Sequence, residues 1–183
     1  MNFYISDLHL DHKNVLKYDN RPFADCEQMQ QAMIRNWNNA VSPTDSVYLL
    51  GDITWKNTTG LGFLQQVKGK KYLILGNHDK PTGDLRNCFE WVKDYTVIKD
   101  GETEVVLFHY PIASWNGQFH GSVLLYGHVH NNFDYEAYQR YLGICDEMGI
   151  PHECYNVGCM MPYMDYTPRT LEEIREYSKL MIT

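Results

Sequence analysis

The sequence predicts an α/β fold, in which short buried strands alternate with helices. Five apolar runs each end in a polar turn, at residues 3–5, 47–50, 72–75, 105–108 and 123–126. Runs that are apolar almost throughout are typical of strands in a sheet covered on both faces. Helical patterns separate the first three runs, which is the βαβ rhythm of an α/β domain. In the second half Asp100-Gly101 lies between two strand-like runs, which predicts a hairpin and antiparallel pairing.

Three helices are predicted from their caps and from the spacing of apolar residues, over residues 25–41, 61–69 and 170–180. The first begins at Asp25, with Gln28 at the second position of a capping box. Its apolar side chains then recur on one face, as in an amphipathic helix. The last begins with a similar box at its first four residues. Each helix is therefore expected to cover a sheet with one apolar face.

Composition and charge narrow the functional classes. The 183 residues are 44% hydrophobic and 21% charged, which favours one globular domain over residues 1–183. No run approaches the roughly 18 apolar residues of a membrane span, and the N-terminus does not resemble a signal peptide, so we expect a cytoplasmic protein without membrane partners. The net charge of −7 argues against strong non-specific nucleic-acid binding, although a metal could supply the positive charge for one phosphate.

The five cysteines favour reduced thiols, because their number is odd and no CxxC pair occurs. Cys154 and Cys159 are close enough in sequence to suggest a metal pair. Buried thiols are the preferred interpretation, since free cysteine is among the most buried residue types.

The polar turns carry the functional signal. In chain order they contain Asp7 and His9, then Asp52, then Asn77, His78 and Asp79, then His109, then His128 and His130. Strand ends are where open α/β sheets bind ligands. Carboxylate, imidazole and amide donors together suit borderline divalent first-row metals. Each turn alone is a weak signal, and the five in one order are what indicate a metal site.

The ordered motifs D-x-H, G-D, G-N-H-D, a lone H and G-H-x-H resemble the signature of the calcineurin-like metallophosphoesterase superfamily, in its small single-domain bacterial and phage type. The resemblance covers residues 3–130 and extends to 156–158, which are similar to the last strand of such proteins. It implies a four-layer α/β/β/α sandwich, with mixed sheets flanked by helices.

The resemblance also implies a centre of two divalent ions, with manganese preferred and iron, zinc or nickel as alternatives. Matching motifs assigns Asp7, His9 and His130 to one ion, Asn77, His109 and His128 to the other, and Asp52 to both. A hydroxide that bridges the ions would attack the phosphorus. His78 would donate to the leaving oxygen or stabilise the transition state, and Asp79 could orient its imidazole.

Two further residues and one segment are candidates for substrate contacts. His12 follows the first motif, and Arg21 lies in a turn that could present a bidentate fork to phosphate; a surface arginine is an equal alternative. Residues 131–155 are rich in tyrosine. They could form an aromatic wall that stacks a nucleobase, an oligomer contact, or a helix packed on its own domain, which is the preferred interpretation.

The leading functional prediction is a metal-dependent phosphoesterase. A phosphodiesterase is favoured, because the size resembles the small diesterase branch and no cationic cluster is evident to hold a dianionic monoester. The substrate would be a small phosphate ester or a nucleotide, and an oligomer is left open. A phosphomonoesterase, an oligonucleotide nuclease and a non-catalytic scaffold of the same fold are the alternatives. The scaffold predicts damage to the signature, whereas His78 is intact.

Overall fold

A computed structural model describes residues 1–180 and places eight strands in two four-stranded sheets. The first sheet, in this order, contains β1 (Asn2–Ile5), β2 (Ser46–Leu49), β3 (Lys70–Ile74) and β4 (Phe89–Lys93). The second contains β5 (Tyr95–Asp100), β6 (Thr103–Phe108), β7 (Val123–Tyr126) and β8 (Cys154–Asn156). Residues 181–183, the end of the expected 1–183 domain, lie outside the described range.

The predicted α/β class is confirmed, and so is the antiparallel hairpin predicted at Asp100-Gly101. The second sheet is mixed, because the Asp100-Gly101 hairpin makes β5 antiparallel to β6 while the other pairs are parallel. The first sheet is parallel throughout. Helices lie in the chain between its successive strands, and a crossover of this kind is what joins parallel neighbours.

The helices are α1 (Val15–Tyr18), α2 (Cys26–Ala40), α3 (Asn57–Leu64), α4 (Gly83–Asn87), α5 (Phe133–Met148) and α6 (Leu171–Leu180), with one 3₁₀ turn at Gln118–His120. The predicted start of α2 is confirmed, since the Asp25 carboxylate accepts from the Gln28 amide at 2.8 Å. The start of α6 is confirmed in the same way by Thr170 and Glu173. The second predicted helix, over 61–69, is instead α3, which begins earlier and ends at Leu64.

Strand β7 shows how both faces of a sheet are covered. Val123 and Leu125 join a core cluster that includes residues of the first sheet. Leu124 and Tyr126 point the other way and pack with side chains of α5. All four are at most 1% exposed. The burial of such side chains, about 1.5–3 kcal/mol each, holds helices and sheets together.

The two sheets meet where β1 and β8 end. The Ser6 amide donates to the Val157 carbonyl at 2.8 Å, and the Cys159 amide donates to the Ser6 carbonyl at 2.8 Å. This junction brings the loops that follow the strands of both sheets to one edge. Within residues 1–180 no helix combines the length and apolar character that a membrane crossing needs.

Candidate metal centre

The first group of candidate ligands comes from both sheets. Asp7 and His9 follow β1, His130 follows β7, and one ligand atom from each lies within 4.8 Å of the others. The Nε2 atoms of His9 and His130 are 3.0 Å apart, and His130 Nε2 is 3.3 Å from Asp7 Oδ1. Three donor atoms therefore converge on one point, as the ligands of a metal ion do.

The second group lies beside the first. Asp52, His109 and His128 also offer ligand atoms within 4.8 Å of one another. Asn77 joins them, since its Oδ1 is 3.3 Å from His109 Nε2. Asp52 Oδ2 is 3.6 Å from His109 Nε2 and 3.7 Å from His9 Nε2, so this carboxylate lies between the two groups.

The hydrogen bonds of two histidines show that the candidate ligand atoms fit a cation. Nδ1 of His109 donates to the Leu50 carbonyl at 2.6 Å, and Nδ1 of His130 donates to Asp19 Oδ1 at 2.7 Å. In the neutral imidazoles the lone pair is then on Nε2. Nε2 of His109 faces Asp52 Oδ2 and Nε2 of His130 faces Asp7 Oδ1, and these carboxylate oxygens are also acceptors. Acceptors facing acceptors need a proton or a cation between them. The mixed nitrogen and oxygen set suits a divalent first-row metal.

Local electrostatics are consistent with this arrangement. Burial tends to raise the pKa of Asp7, but the hydrogen bond from His130 and the nearby imidazoles outweigh it and hold that pKa well below its usual range. Burial lowers the pKa of His9 to about 4, against the opposing charge of Asp7. Burial also acts against the charged form of His130, but hydrogen bonds to Asp19 and Asp7 raise its pKa to about 9. His130 therefore holds a proton more readily than a free imidazole does.

Four of the eight non-glycine residues with positive φ in the described range are candidate ligands. Asp7, His9, Asp52 and His128 have φ values of 56°, 49°, 54° and 70°, in the left-handed region that non-glycine residues rarely adopt. Such conformations cost about 1–3 kcal/mol each and persist where surrounding contacts impose them. Here the His9 amide donates to the Asp52 carbonyl at 2.9 Å, and the His128 amide donates to the Asp7 carboxylate. The turns hold one another in place.

Two glycines allow the turns to approach so closely. A Cβ at Gly127 would collide with the side chains of Ser6 and Asp7, and a Cβ at Gly76 would collide with the Asp52 carboxylate. Any side chain at either position would displace a candidate ligand. The glycines of the G-N-H-D and G-H-x-H motifs are therefore required by close packing at the site.

A cavity of about 360 Å³ opens over the two groups. His12, His78 and Asn132 line it together with candidate ligands. The side chain of His78 is 39% exposed and its Nε2 is 4.0 Å from Asp52 Oδ2. His78 therefore faces the cavity as well as the candidate ligands.

Asp79 does not have the contact that the sequence suggested. Its carboxylate accepts the backbone amides of Asp52, Ile53 and Gly76 at 2.7–3.0 Å. Its hydrogen bonds join the turn after β2 to the turn after β3, and they do not reach the imidazole of His78. The reason is geometric, because adjacent residues in a tight turn point in different directions. Asp79 positions the backbone around Asp52.

Arg21 is also placed differently from the expected phosphate fork. Its side chain is fully buried, and it donates to Asp19 Oδ2 and to the carbonyls of Asp7 and Leu8 at 2.8–3.0 Å. It is not among the cavity residues. With its donors occupied beneath the site, Arg21 holds Asp19, which in turn holds His130. A surface position is excluded as well.

The tyrosine-rich segment folds as α5 against its own domain. The hydroxyls of Tyr138 and Tyr141 donate to the carbonyls of Ile112 and Ala113 at 2.9 and 2.8 Å. These contacts agree with the preferred interpretation, a helix packed on its own domain, and they leave no aromatic wall from these two residues.

The two cysteines that are close in sequence differ in burial, since Cys159 is buried and Cys154 is partly buried. All five cysteines are free thiols.

Sequence reasoning missed Asp19, Tyr18 and Trp55. Asp19 and Tyr18 line the cavity, and Trp55 stacks on His12 with ring centroids 4.7 Å apart. Asp19 lies two residues before Arg21, but this spacing becomes informative only once the structure shows that Arg21 is buried. Trp55 and Tyr18 belong to no motif or periodic pattern.

Comparison with known proteins identifies relatives. An uncharacterized protein of Methanocaldococcus jannaschii is 35% identical over 133 residues, which cover 71% of this chain and 69% of the relative. The Gene 66 protein of Mycobacterium phage L5 is 29% identical over 160 residues, covering 70% and 77% of the two chains. No family model matches the chain.

Solved structures include a protein of unknown function from Aquifex aeolicus, with a TM-score of 0.72, 26% identity and 98% of both chains covered. A nuclease of Pseudomonas putida has a TM-score of 0.46 at 18% identity, covering 70% of this chain and 61% of its own. A phosphoesterase of E. coli has a TM-score of 0.41 at 13% identity, covering 70% and 69%.

Proposed function

From the site itself we propose that this chain, which belongs to one protein family with the uncharacterized Methanocaldococcus jannaschii protein, is a phosphoesterase that depends on two divalent ions. The observation that supports it best is the pair of ligand groups that share the Asp52 carboxylate. A shared carboxylate lowers the repulsion between two neighbouring cations. The superfamily resemblance of the motifs points to the same chemistry.

Bound ions would supply the charge that binds phosphoryl oxygens and would lower the pKa of water. The proposed ligands are Asp7, His9 and His130 for one ion, Asn77, His109 and His128 for the other, and Asp52 for both. Manganese is the proposed metal, with iron, zinc and nickel as alternatives. Hydrogen bonds hold the proposed ligands in position. Arg21 holds Asp19, which holds His130. Asp79 holds the backbone around Asp52.

His78 is the proposed catalytic group from the protein. In hydrolysis the water oxygen bonds to phosphorus, the bond from phosphorus to the leaving oxygen breaks, and the leaving oxygen takes a proton. His78 lines the cavity, is partly exposed and carries no structural hydrogen bond from its ring among those described, so it is free to give that proton. The proton lost by water returns the imidazole to its starting form.

The proposed substrate is a diester. The cavity lining contains histidine, asparagine, tyrosine, valine and aspartate, with neither lysine nor arginine. Arg21 is occupied elsewhere, so no fixed cation of the lining is available for the second charge of a monoester. We further propose that the chain acts as one domain, in the cytoplasm, on a small phosphate ester or a nucleotide.

The test is a hydrolysis screen of matched phosphomonoesters and diesters with added manganese, with metal content measured on the same samples. We expect turnover of bis(p-nitrophenyl) phosphate and nearly two metal equivalents per chain. His78→Ala should lower turnover by roughly 10²–10⁴-fold, the usual contribution of a positioned acid, without loss of metal. His120→Ala removes an exposed histidine of the 3₁₀ turn and is the matched control.

The outcomes separate the alternatives. A folded parent protein that is inert towards all phosphoesters would favour the scaffold. A monoester preferred more than tenfold by kcat/KM would reverse the diester assignment. Loss of metal together with activity in His78→Ala would make His78 a ligand.

A further inference from the structure

Three aromatic rings form a row at the mouth of the cavity, and we call Tyr18, His12 and Trp55 the aromatic rim. The indole of Trp55 stacks on His12 with centroids 4.7 Å apart and planes 14° apart. The ring of Tyr18 is 6.5 Å from that of His12 and nearly perpendicular to it. His12 and Tyr18 both line the cavity. The rim is therefore continuous with the candidate metal centre.

The two outer rings of the rim are exposed although they are large and apolar. Tyr18 is 73% exposed and Trp55 is 54% exposed. The stacked His12 covers part of the Trp55 indole, and the exposed area of Trp55 lies outside that contact. Burying an aromatic ring of this size is favourable, so leaving it open beside a cavity points to a bound molecule that covers it.

The backbone holds the rim in a fixed position. Leu10 pairs with Thr54, and the Trp55 amide donates to the Leu10 carbonyl at 3.0 Å. This pairing joins the loop after β1, which carries His12, to the loop after β2, which carries Trp55. The stack is thus built by the same two turns that present Asp7 and Asp52.

The position of Trp55 relative to His78 indicates what would lie on it. The ring of Trp55 is 5.1 Å from that of His78, and the ring of His78 is 5.7 Å from that of His9. The ring of His78, the proposed acid, therefore lies next to the proposed ligand His9, and the ring of Trp55 lies next to His78. A group attached to the scissile phosphate through a sugar would extend into this space.

We propose that Trp55 and Tyr18 form a base-stacking subsite and that the substrate is a nucleotide phosphodiester whose base lies on the exposed part of the Trp55 ring. This inference rests on the proposed phosphoesterase function. Aromatic side chains stack any base, because every base has a flat π face. The net charge of −7 does not favour long polyanions, so the substrate is a short or cyclic nucleotide diester.

The test compares two esters with the same leaving group, thymidine 5′-(p-nitrophenyl) phosphate and methyl p-nitrophenyl phosphate. The readout is the ratio of their kcat/KM values, because this ratio isolates the contribution of the nucleoside. Trp55→Ala should lower the ratio by roughly 5- to 150-fold, the range for one base on an aromatic side chain. Trp55→Phe keeps a stacking ring and should restore most of it. Phe119→Ala removes an exposed ring outside the cavity lining and should leave the ratio unchanged.

A binding measurement that does not depend on turnover completes the test. Thymidine 5′-monophosphate is titrated while the indole N–H signals of the four tryptophans are followed by NMR. The signal that is absent in Trp55→Phe should be the one that shifts. An unchanged ratio and an unshifted Trp55 signal, in a protein that hydrolyses both esters, would overturn the subsite alone. An equal loss on both esters would also overturn it, while inactivity of the parent would count against the proposed function instead.

Discussion

Replacing Arg21 by methionine removes the buried cation beneath His130 while keeping much of its aliphatic volume. Asp19 would then keep a buried carboxylate without its partner, since both residues have side chains at most 4% exposed. Breaking a buried ion pair in this way costs about 3–5 kcal/mol. The free energy of unfolding of a typical domain is about 5–15 kcal/mol, so Arg21→Met should lose a large part of it.

Urea denaturation of the metal-free protein measures this loss. Asp19→Asn and the double variant complete a cycle, in which the double variant should lose less than the sum of the single changes, by about 0.5–3 kcal/mol. In the folded fraction of Arg21→Met the metal affinity should fall about 10–100-fold, because Asp19, released from Arg21, no longer orients His130. Arg140→Met, on the exposed face of α5, is the matched control and should stay within about 0.5 kcal/mol of the parent.

A phosphate-binding arginine would behave differently. Replacing such an arginine would raise KM and leave the free energy of unfolding nearly unchanged. A loss below about 1 kcal/mol in Arg21→Met, or strict additivity in the cycle, would therefore refute the structural role assigned to Arg21.

Three further predictions concern the metal centre. Asp52→Ala should reduce the content of both ions, whereas Asn77→Ala should reduce one, as elemental analysis would show; equal losses would argue against a shared carboxylate. Because the pKa of His130 is raised to about 9 in the metal-free protein, metal binding at pH 7 must displace its proton, and affinity should rise with pH up to about 9. Calorimetry in two buffers of different ionisation enthalpy measures this release, and its absence would contradict the protonated state. Gly127→Ala should lower both stability and metal content, while Gly143→Ala, which has open space inside α5, should be neutral or stabilising by up to about 1 kcal/mol; thermal unfolding compares the two.

The sequence predicted the elements whose signals are local. Apolar runs ending in polar turns located five of the eight strands, and capping boxes located the starts of α2 and α6. Strand β4, with the sequence Phe-Glu-Trp-Val-Lys, was not predicted, because it mixes charged and apolar residues without a continuous apolar run. The parallel direction of the whole first sheet also depends on tertiary packing, which no single segment encodes.

At the site, motif order selected side chains that lie together in the structure, but it did not predict their supporting contacts. Asp79 and Arg21 were each given the partner nearest in sequence or in chemical type. The structure instead shows Asp79 bound to three backbone amides and Arg21 bound beneath the site. Long side chains and turn carboxylates can reach many partners, so spacing alone does not choose among them. Trp55 was missed for the same reason, since its role depends on a ring brought by another loop.

The division of each ligand group between the two sheets has a consequence for unfolding. His9 and His130, two proposed ligands of one ion on loops of different sheets, are 121 residues apart in the chain. An ion held by both sides would act as a cross-link across that distance, comparable in kind to a disulfide that closes a long loop. Since the ligands converge only after the sheets have docked, such a cross-link should slow unfolding far more than it speeds folding. Chelation should therefore shorten the lifetime of the native state at the seam between the sheets, and a fragment with one sheet would hold an incomplete ligand set for either ion.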